Sequence, residues 1–419
     1  MKRFNEVLTK INDTVISFIK KYWFIIAMVA VVALAIAIRV PLYTKESDDF
    51  NFFLKPWYTE ICKDAKAFLS KGEADYTPTY MYFLCIISMF KISPESATFL
   101  RTLKTISVVF DFATAALIFC IIKFILKKNN VLTLLGTGLA LFLPQIFLNS
   151  AFWGQCDAIY TFFVVLSLFF ALKNKSLWSA VSFGVAFAFK LQSVFFFPVL
   201  LLLWLNKKFK FRCFFIIPAV YIILMIPAMI CGKSFISCLT VYFTQAGEYV
   251  ALSMNAPNVY SFMYYTLVYN PSVTKELVPA ATVLGLMLIA ALCLMIFLTH
   301  KDMSKEDAIK IAFLISLFAP YVLPKMHERY FYIAEVLSIL YVIINPKKWY
   351  ISTLAVAGTF QGYITYLFKT FYFNDDDNNL IVGATCILAA LILLSYDVFK
   401  GKTIGFNQEK PAEAEQNNA

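Results

Sequence analysis

Residues Tyr22 to Leu42 read YWFIIAMVAVVALAIAIRVPL. An apolar run of about twenty residues, rising 1.5 Å per residue as a helix, is long enough to cross a hydrocarbon core of roughly 30 Å. The segment before it, Met1 to Lys21, is polar and shows no signal-peptide cleavage pattern, so the run reads as a retained span. Lys2, Arg3, Lys10, Lys20 and Lys21 make that segment cytoplasmic by the positive-inside rule.

Outward from this run the pattern repeats. Tyr43 to Tyr76 is a polar outer loop rich in acids and aromatics, and Thr77 to Ile92 is a shorter apolar stretch. Further spans are expected near 104–126, 131–149, 158–172, 213–231, 277–299, 309–323, 330–345, 349–372 and 378–398. Sixty per cent of the 419 residues are apolar or aromatic and only 15% are charged, against about 25% charged in soluble domains. The reading is an all-α polytopic membrane protein with about 12–14 transmembrane or half-membrane helices. Residues 22–399 form the membrane domain, and 400–419 a disordered cytoplasmic tail. The net charge of +11 fits basic cytoplasmic loops and, without a basic soluble domain, excludes a nucleic-acid partner. Nine scattered cysteines without a CxxC pair read as small apolar fillers, and two histidines exclude a His-rich metal site.

Two stretches break the simple pattern. Ser179 to Leu205 is apolar except for Lys190 and Gln192. A single helix would place that lysine near the bilayer centre at a cost of roughly 2.5–3.5 kcal/mol. Lys173 and Lys175 precede the stretch, and Lys207, Lys208, Lys210 and Arg212 follow it, which favours a hairpin with Lys190-Leu191-Gln192 at its tip. Arg101/Lys104 and Lys127/Lys128 also look alike, with one span between them. Either that span is a hairpin turning near Asp111, or one basic pair faces outward.

With the hairpin, four polar clusters fall on the outer side. Asp48-Asp49 follows the first span among aromatics and stands just before Pro56-Trp57; a solvated acidic loop is its ordinary reading. Asp75-Tyr76-Thr77-Pro78 opens the second span, where an acid and a proline also suit helix entry. In Trp153-Gly154-Gln155-Cys156-Asp157 an N-cap role would account for Asp157 but not for Gln155 and Trp153. Lys325-Met326-His327-Glu328-Arg329-Tyr330 lies between two spans, and its arginine can take a phosphate or carboxylate bidentately. Asp375-Asp376-Asp377 reads as a solvated turn.

Taken in order, these motifs resemble the C-type (GT-C) glycosyltransferases over about residues 22–345. The nearest likeness is to bacterial relatives of the mannosyltransferase that adds the second mannose in GPI-anchor synthesis. The dolichyl-phosphate-glucose-dependent glucosyltransferases are similar too. Short outer loops and the lack of a C-terminal soluble domain depart from many such enzymes. The resemblance implies a polyprenyl- or dolichyl-phosphate sugar donor, mannose as the expected sugar, and transfer to a lipid or glycan acceptor on the non-cytoplasmic face. It makes Asp49, with Asp48 next, the catalytic base, and Asp75, Tyr76, Trp153, Gln155, Asp157, Lys190, Gln192, His327, Glu328 and Arg329 substrate-binding groups. Among these Asp75 and Asp157 are expected to orient the sugar or acceptor, and Arg329 and Lys190, with His327 as a hydrogen-bond donor, suit the donor phosphate. No phosphate-binding Gly-rich loop opens a helix, in keeping with a donor that arrives from the bilayer. A lipid-phosphate leaving group does not require a metal, and neither a metal nor another cofactor is expected. The competing reading is a secondary transporter or flippase of a sugar or glycolipid, which would favour an internal repeat and a midplane site. A membrane scaffold would need neither Asp49 nor Arg329.

The topology is testable. In a cysteine-free background, a cysteine beside Asp157 should react with an impermeant maleimide added from outside the cell. Labelling from the cytoplasm alone would reverse the orientation of that stretch.

Overall fold

A computed structural model describes residues 2–72, 74, 76–248, 250–263, 265–368 and 376–403. The chain is an all-α polytopic bundle. Its helices, in order, are α1 (Lys2–Arg39), α2 (Lys55–Lys63), α3 (Ala65–Lys71), α4 (Pro78–Met89), α5 (Ala97–Cys120) and α6 (Asn130–Phe142). There follow α7 (Pro144–Phe147), α8 (Asp157–Leu172), α9 (Ser176–Phe189), α10 (Phe197–Leu205), α11 (Ile216–Ile230) and α12 (Phe235–Glu248). The last are α13 (Tyr265–Tyr269), α14 (Pro271–Thr299), α15 (Lys305–Val322), α16 (Tyr332–Ile344), α17 (Trp349–Phe368) and α18 (Asp376–Phe399). Two-residue strands Ser253–Met254 and Met326–His327 pair in parallel.

Among the described residues, five helices are long and apolar enough to span a membrane, or six if the bent pair α6 and 144–153 counts as one. Five shorter apolar helices accompany them, so the expected number of elements is approached only with half-membrane pieces included. α15 and α16 form the centre and are buried along nearly their whole length, packed by α10, α17, α18, α6 and α8. α1 and α14 leave most of their apolar surface exposed, as helices facing lipid do.

Each expected span after the first coincides with a helix or a bent helix pair whose ends are shifted by up to seven residues, with three differences. The 43–76 stretch is largely helical: its described residues include a π-helical turn at Phe50–Leu54, α2 and α3. α1 starts at Lys2 and carries the polar N-terminal segment in the same helix as the span. α12 was not anticipated. The tail beyond residue 403 and Asp375 lie outside the described residues.

The hairpin reading of 179–205 agrees with the geometry. α9 ends at Phe189, and the backbone of Lys190 after it turns extended (φ −155°, ψ 136°). A 3-10 turn at Leu191–Phe196 then leads into α10. The two basic ends meet, because the Lys210 N–H donates to Ser176 Oγ at 3.2 Å. The second ambiguity resolves the other way. α5 runs unbroken through Asp111 and continues as a π-helical turn to Ile125, so Arg101/Lys104 and Lys127/Lys128 stand at opposite ends of one span.

Beside its buried apolar face, α5 is tied to α1 by a buried ion pair. Arg39, 1% exposed at the end of α1, meets Asp111 Oδ2 at 3.1 Å. The same arginine donates to the Ala35 and Leu141 carbonyls at 3.1 and 3.0 Å, the latter freed by the bend after α6. Asp111 also accepts from Ser150 Oγ at 2.5 Å and from Tyr332 Oη at 3.4 Å. Four segments therefore share one carboxylate.

Removing one member of such a pair leaves a buried charge uncompensated, at a cost of roughly 3–5 kcal/mol. Arg39→Met should lower the apparent unfolding temperature in detergent sharply. Arg39→Met with Asp111→Leu should recover much of the loss, measured by intrinsic fluorescence on heating. A double variant no better than the single one would mean that hydrogen bonding, not charge compensation, is what Arg39 supplies.

Candidate active site

The polar residues singled out in the sequence converge. Asp49 is buried after the end of α1. Its Oδ2 accepts from Trp153 Nε1 at 3.0 Å and from Gln155 Nε2 in a short bond, and Arg329 Nη1 lies 3.8 Å away. Its Oδ1 accepts from Tyr366 Oη at 2.8 Å. An ionised carboxylate offers about four lone-pair directions, so Oδ1 retains one for a further donor.

The loop 148–157 is built to reach this point. A π-helical turn over Leu148–Trp153 ends at Gly154, whose φ of +79° is left-handed. A side chain there would be strained and would meet the Lys104 chain at 3.5 Å. One polar face of α5 laces the loops together: Lys104 Nζ donates to the Leu42 and Lys45 carbonyls, and Ser107 Oγ to the Gln155 carbonyl at 2.6 Å. Ser47 Oγ adds a bond to the Trp153 carbonyl at 2.8 Å.

Asp157 begins α8 but does not act as an N-cap. Its Oδ1 meets Lys190 Nζ at 2.6 Å, so the hairpin tip and the α8 start neutralise each other, and its Oδ2 accepts from Asn149 Nδ2 at 2.9 Å. Arg329 Nε lies 3.9 Å from the same carboxylate, and the guanidinium carbon sits 5.2 Å from the Trp153 ring centroid. Tyr76 Oη donates to Gln155 Oε1 at 3.0 Å, and Lys190 Nζ stands 5.4 Å over the Tyr76 ring.

Asp49, Tyr76, Gln155, Lys190, His327 and Arg329 line one cavity of about 220 Å³, with Trp57, Gln245, Asn255 and Tyr366. Trp153 borders it through its bond to Asp49. Asp48 is exposed and does not line it. Gln192 lines a neighbouring apolar cavity of about 530 Å³ instead, which shares Gln245 and Tyr330 with the first. Asp75 lies outside the described residues. Glu328 is fully buried behind the cavity wall, 2.9 Å from Arg329 Nη1. Gly362 allows α17 to press on it, since a Cβ there would come within 2.8 Å of Glu328 Cβ.

Burial pushes the Glu328 carboxyl up to about 7, against the pull of Arg329. Burial, with Arg329 and Lys190 nearby, holds the His327 imidazole well below its usual range. The 3.9 Å approach of His327 Nδ1 to Glu328 is therefore a contact of a neutral ring, not an ion pair. Burial alone would lower Arg329, but Asp49, Glu328, Tyr76 and Asp157 together hold it above its ordinary value. Arg329 Nε is buried without a hydrogen-bond partner among the described residues.

Tyr366, Asn149, Lys104 and Ser107 were not anticipated in these roles. Tyr366 and Asn149 stand inside apolar runs, where a single polar residue carries little signal. Lys104, Ser107 and Asp111 recur at helical spacing, and that polar stripe within a span could have been recognised.

The model of Glycosyltransferase family 87 matches residues 75–324, more than half of the chain. The match takes in Tyr76, Trp153, Gln155, Asp157 and Lys190, while Asp49 and His327 to Arg329 lie outside it. No curated protein matches the chain.

The Glu328 shift carries a sign. Its carboxyl holds a proton in the fold up to about pH 7 but only to the ordinary 4.5 when unfolded. The fold thus binds more protons between those values, and stability falls as pH rises through them. Glu328→Gln should remove that slope, so its unfolding temperature gains on the wild type from pH 4.5 to 7 and the gap levels off above. Parallel curves for the two proteins would show that Glu328 is ionised throughout.

Proposed function

Because the chain belongs to glycosyltransferase family 87 and is a membrane glycosyltransferase, we propose that it uses a polyprenyl- or dolichyl-phosphate sugar, with mannose the sugar, on the non-cytoplasmic face. In this reading the bundle has the GT-C architecture and the acceptor is a lipid or glycan hydroxyl. The observation that carries the reading is the adjacency of two cavities. One is polar and holds Asp49 and Arg329; the other is apolar and shares Gln245 and Tyr330 with it. A donor that is part sugar phosphate and part isoprenoid chain needs that pairing.

The chemistry follows from the side chains. Asp49 takes the acceptor proton on the free lone pair of Oδ1 as the acceptor oxygen attacks the anomeric carbon. The bond from that carbon to the phosphate oxygen breaks through an oxocarbenium-like state, and polyprenyl phosphate leaves with the electron pair. Arg329, through Nε and its planar fork, and Lys190 receive the charge that grows on the phosphate. Neutral His327 donates a hydrogen bond. Asp157 orients Lys190, while Gln155 and Trp153 hold Asp49 in place. Asp48, exposed beside Asp49, is the second choice for the base.

Asp49→Asn keeps the shape but removes the proton acceptor. It should lower kcat by roughly 10²-fold or more with donor binding nearly unchanged. Arg329→Lys loses the fork and should weaken donor binding while also slowing turnover. Release of polyprenyl phosphate from polyprenyl-phosphate mannose by the protein in nanodiscs is the assay. Near-normal turnover by Asp49→Asn, with loss in Asp48→Asn or Asp157→Asn, would move the base to that residue. Normal turnover in all three would end the lipid-donor enzyme reading.

A further inference from the structure

At the far end of the α9 hairpin, roughly 20 Å from Lys190 by helical rise, lies a second charged feature that the transfer chemistry does not use. Where the hairpin ends meet, a cavity of about 530 Å³ is lined by Lys175, Lys210 and Arg212, with Ser176, Leu177 and Trp178 on the same wall. Lys175, Lys210 and Arg212 are exposed, and none forms an ion pair among the described residues. The cavity is lined by no carboxylate. Lys173 and Lys207 flank it in sequence and are likewise exposed.

Basic residues at one end of a membrane bundle set topology, but topology asks only for charge and not for a cavity. Here three cations converge on one concave site. The N-terminus of α9 opens into it without a side-chain cap, since Lys175 at the N-cap position makes none. Uncapped N–H groups add positive potential to that of the side chains. The apolar side of the site is equally specific. Trp178 is 55% and Leu177 49% exposed, and Phe211 and Phe215 stand exposed at 55% and 65%. A tryptophan suits the headgroup level of a bilayer, and exposed leucine and phenylalanine side chains suit the acyl chains beside it.

We infer that this cavity binds the phosphate headgroup of an anionic phospholipid, with its acyl chains along the aromatic ridge. The ligand takes the three cations and the α9 N-terminus through its phosphate oxygens, and ties the base of α9 to the entry of α11. The site is independent of the donor chemistry proposed above.

The full-length protein, purified in mild detergent, is titrated with phosphatidylglycerol and bound lipid is counted by native mass spectrometry. The groove variant is Lys175→Gln/Lys210→Gln/Arg212→Gln. The control is Lys301→Gln/Lys347→Gln/Lys400→Gln, which removes three other exposed charges. At about fivefold in affinity per basic residue near a headgroup, the groove variant should bind phosphatidylglycerol roughly a hundredfold more weakly. The wild type and the control should bind alike, and phosphatidylcholine should bind less tightly than phosphatidylglycerol. Equal losses in both variants would mean unspecific surface charge and overturn the site. Displacement of the lipid by millimolar inorganic phosphate would assign the cavity to a soluble anion and overturn the lipid. An unfolding temperature unchanged in the groove variant separates lost binding from lost fold.

Discussion

Charge compensation among buried groups is the constraint on which this structure depends. Asp49, Asp157, Lys190, Glu328 and Arg329 are all at most 9% exposed and sit in one cluster. Each would be expensive alone, because a buried charge is tolerated only when paired and hydrogen-bonded. The pairs are distributed so that no two groups can be considered apart. Arg329 reaches Asp49, Asp157 and Glu328, and Lys190 closes on Asp157. The Arg39–Asp111 pair is a second compensated centre, which braces the loop of the first through Ser150 and Tyr332.

The helix breaks follow from that constraint. A straight helix cannot bring four different segments to one point, and irregular backbone at membrane depth is acceptable only where it is buried in protein or lines a cavity. The π-helical turns at Phe50–Leu54 and Leu148–Trp153, the extended Lys190 and the turn at Glu328–Phe331 all border the same site. The short helices of this chain are thus a consequence of its site. They are also why elements far exceed full-length spans.

That logic explains what could be read in advance. Lys190 was legible because a lone lysine in an apolar run has no inexpensive location, and its basic flanks pointed to a hairpin. Trp153-Gly154-Gln155-Cys156-Asp157 and His327-Glu328-Arg329 were legible as polar clusters too dense for a turn. Arg39 was not: at the end of an apolar run an arginine looks like a flank that reaches water, and only the fold shows it turned inward to Asp111. Tyr366 was not legible either, because a tyrosine near a span end is common in any membrane protein. Long-range pairing, here 317 residues from Asp49, has no local sequence signal. The polar stripe on α5 fell between these cases; its residues posed a topological puzzle, and the spacing that answers it was present.

If the donor is the lipid-phosphate sugar proposed above, the charge count in the cluster sets the terms on which its phosphate enters. Two cations, Lys190 and Arg329, face three acids, Asp49, Asp157 and Glu328, and His327 is neutral. A site with compensated cations gains little from adding another anion unless a negative charge is removed at the same time. Glu328 is the group placed to do so. Burial pushes its carboxyl up to about 7, it touches Arg329 without lining the cavity, and a proton on it would free the guanidinium for a new partner. An incoming phosphate would raise that carboxyl further, since a like charge nearby disfavours ionisation. On that proposed reading the arginine is held in place and still available to a ligand, with the exchange made by one proton behind the cavity wall.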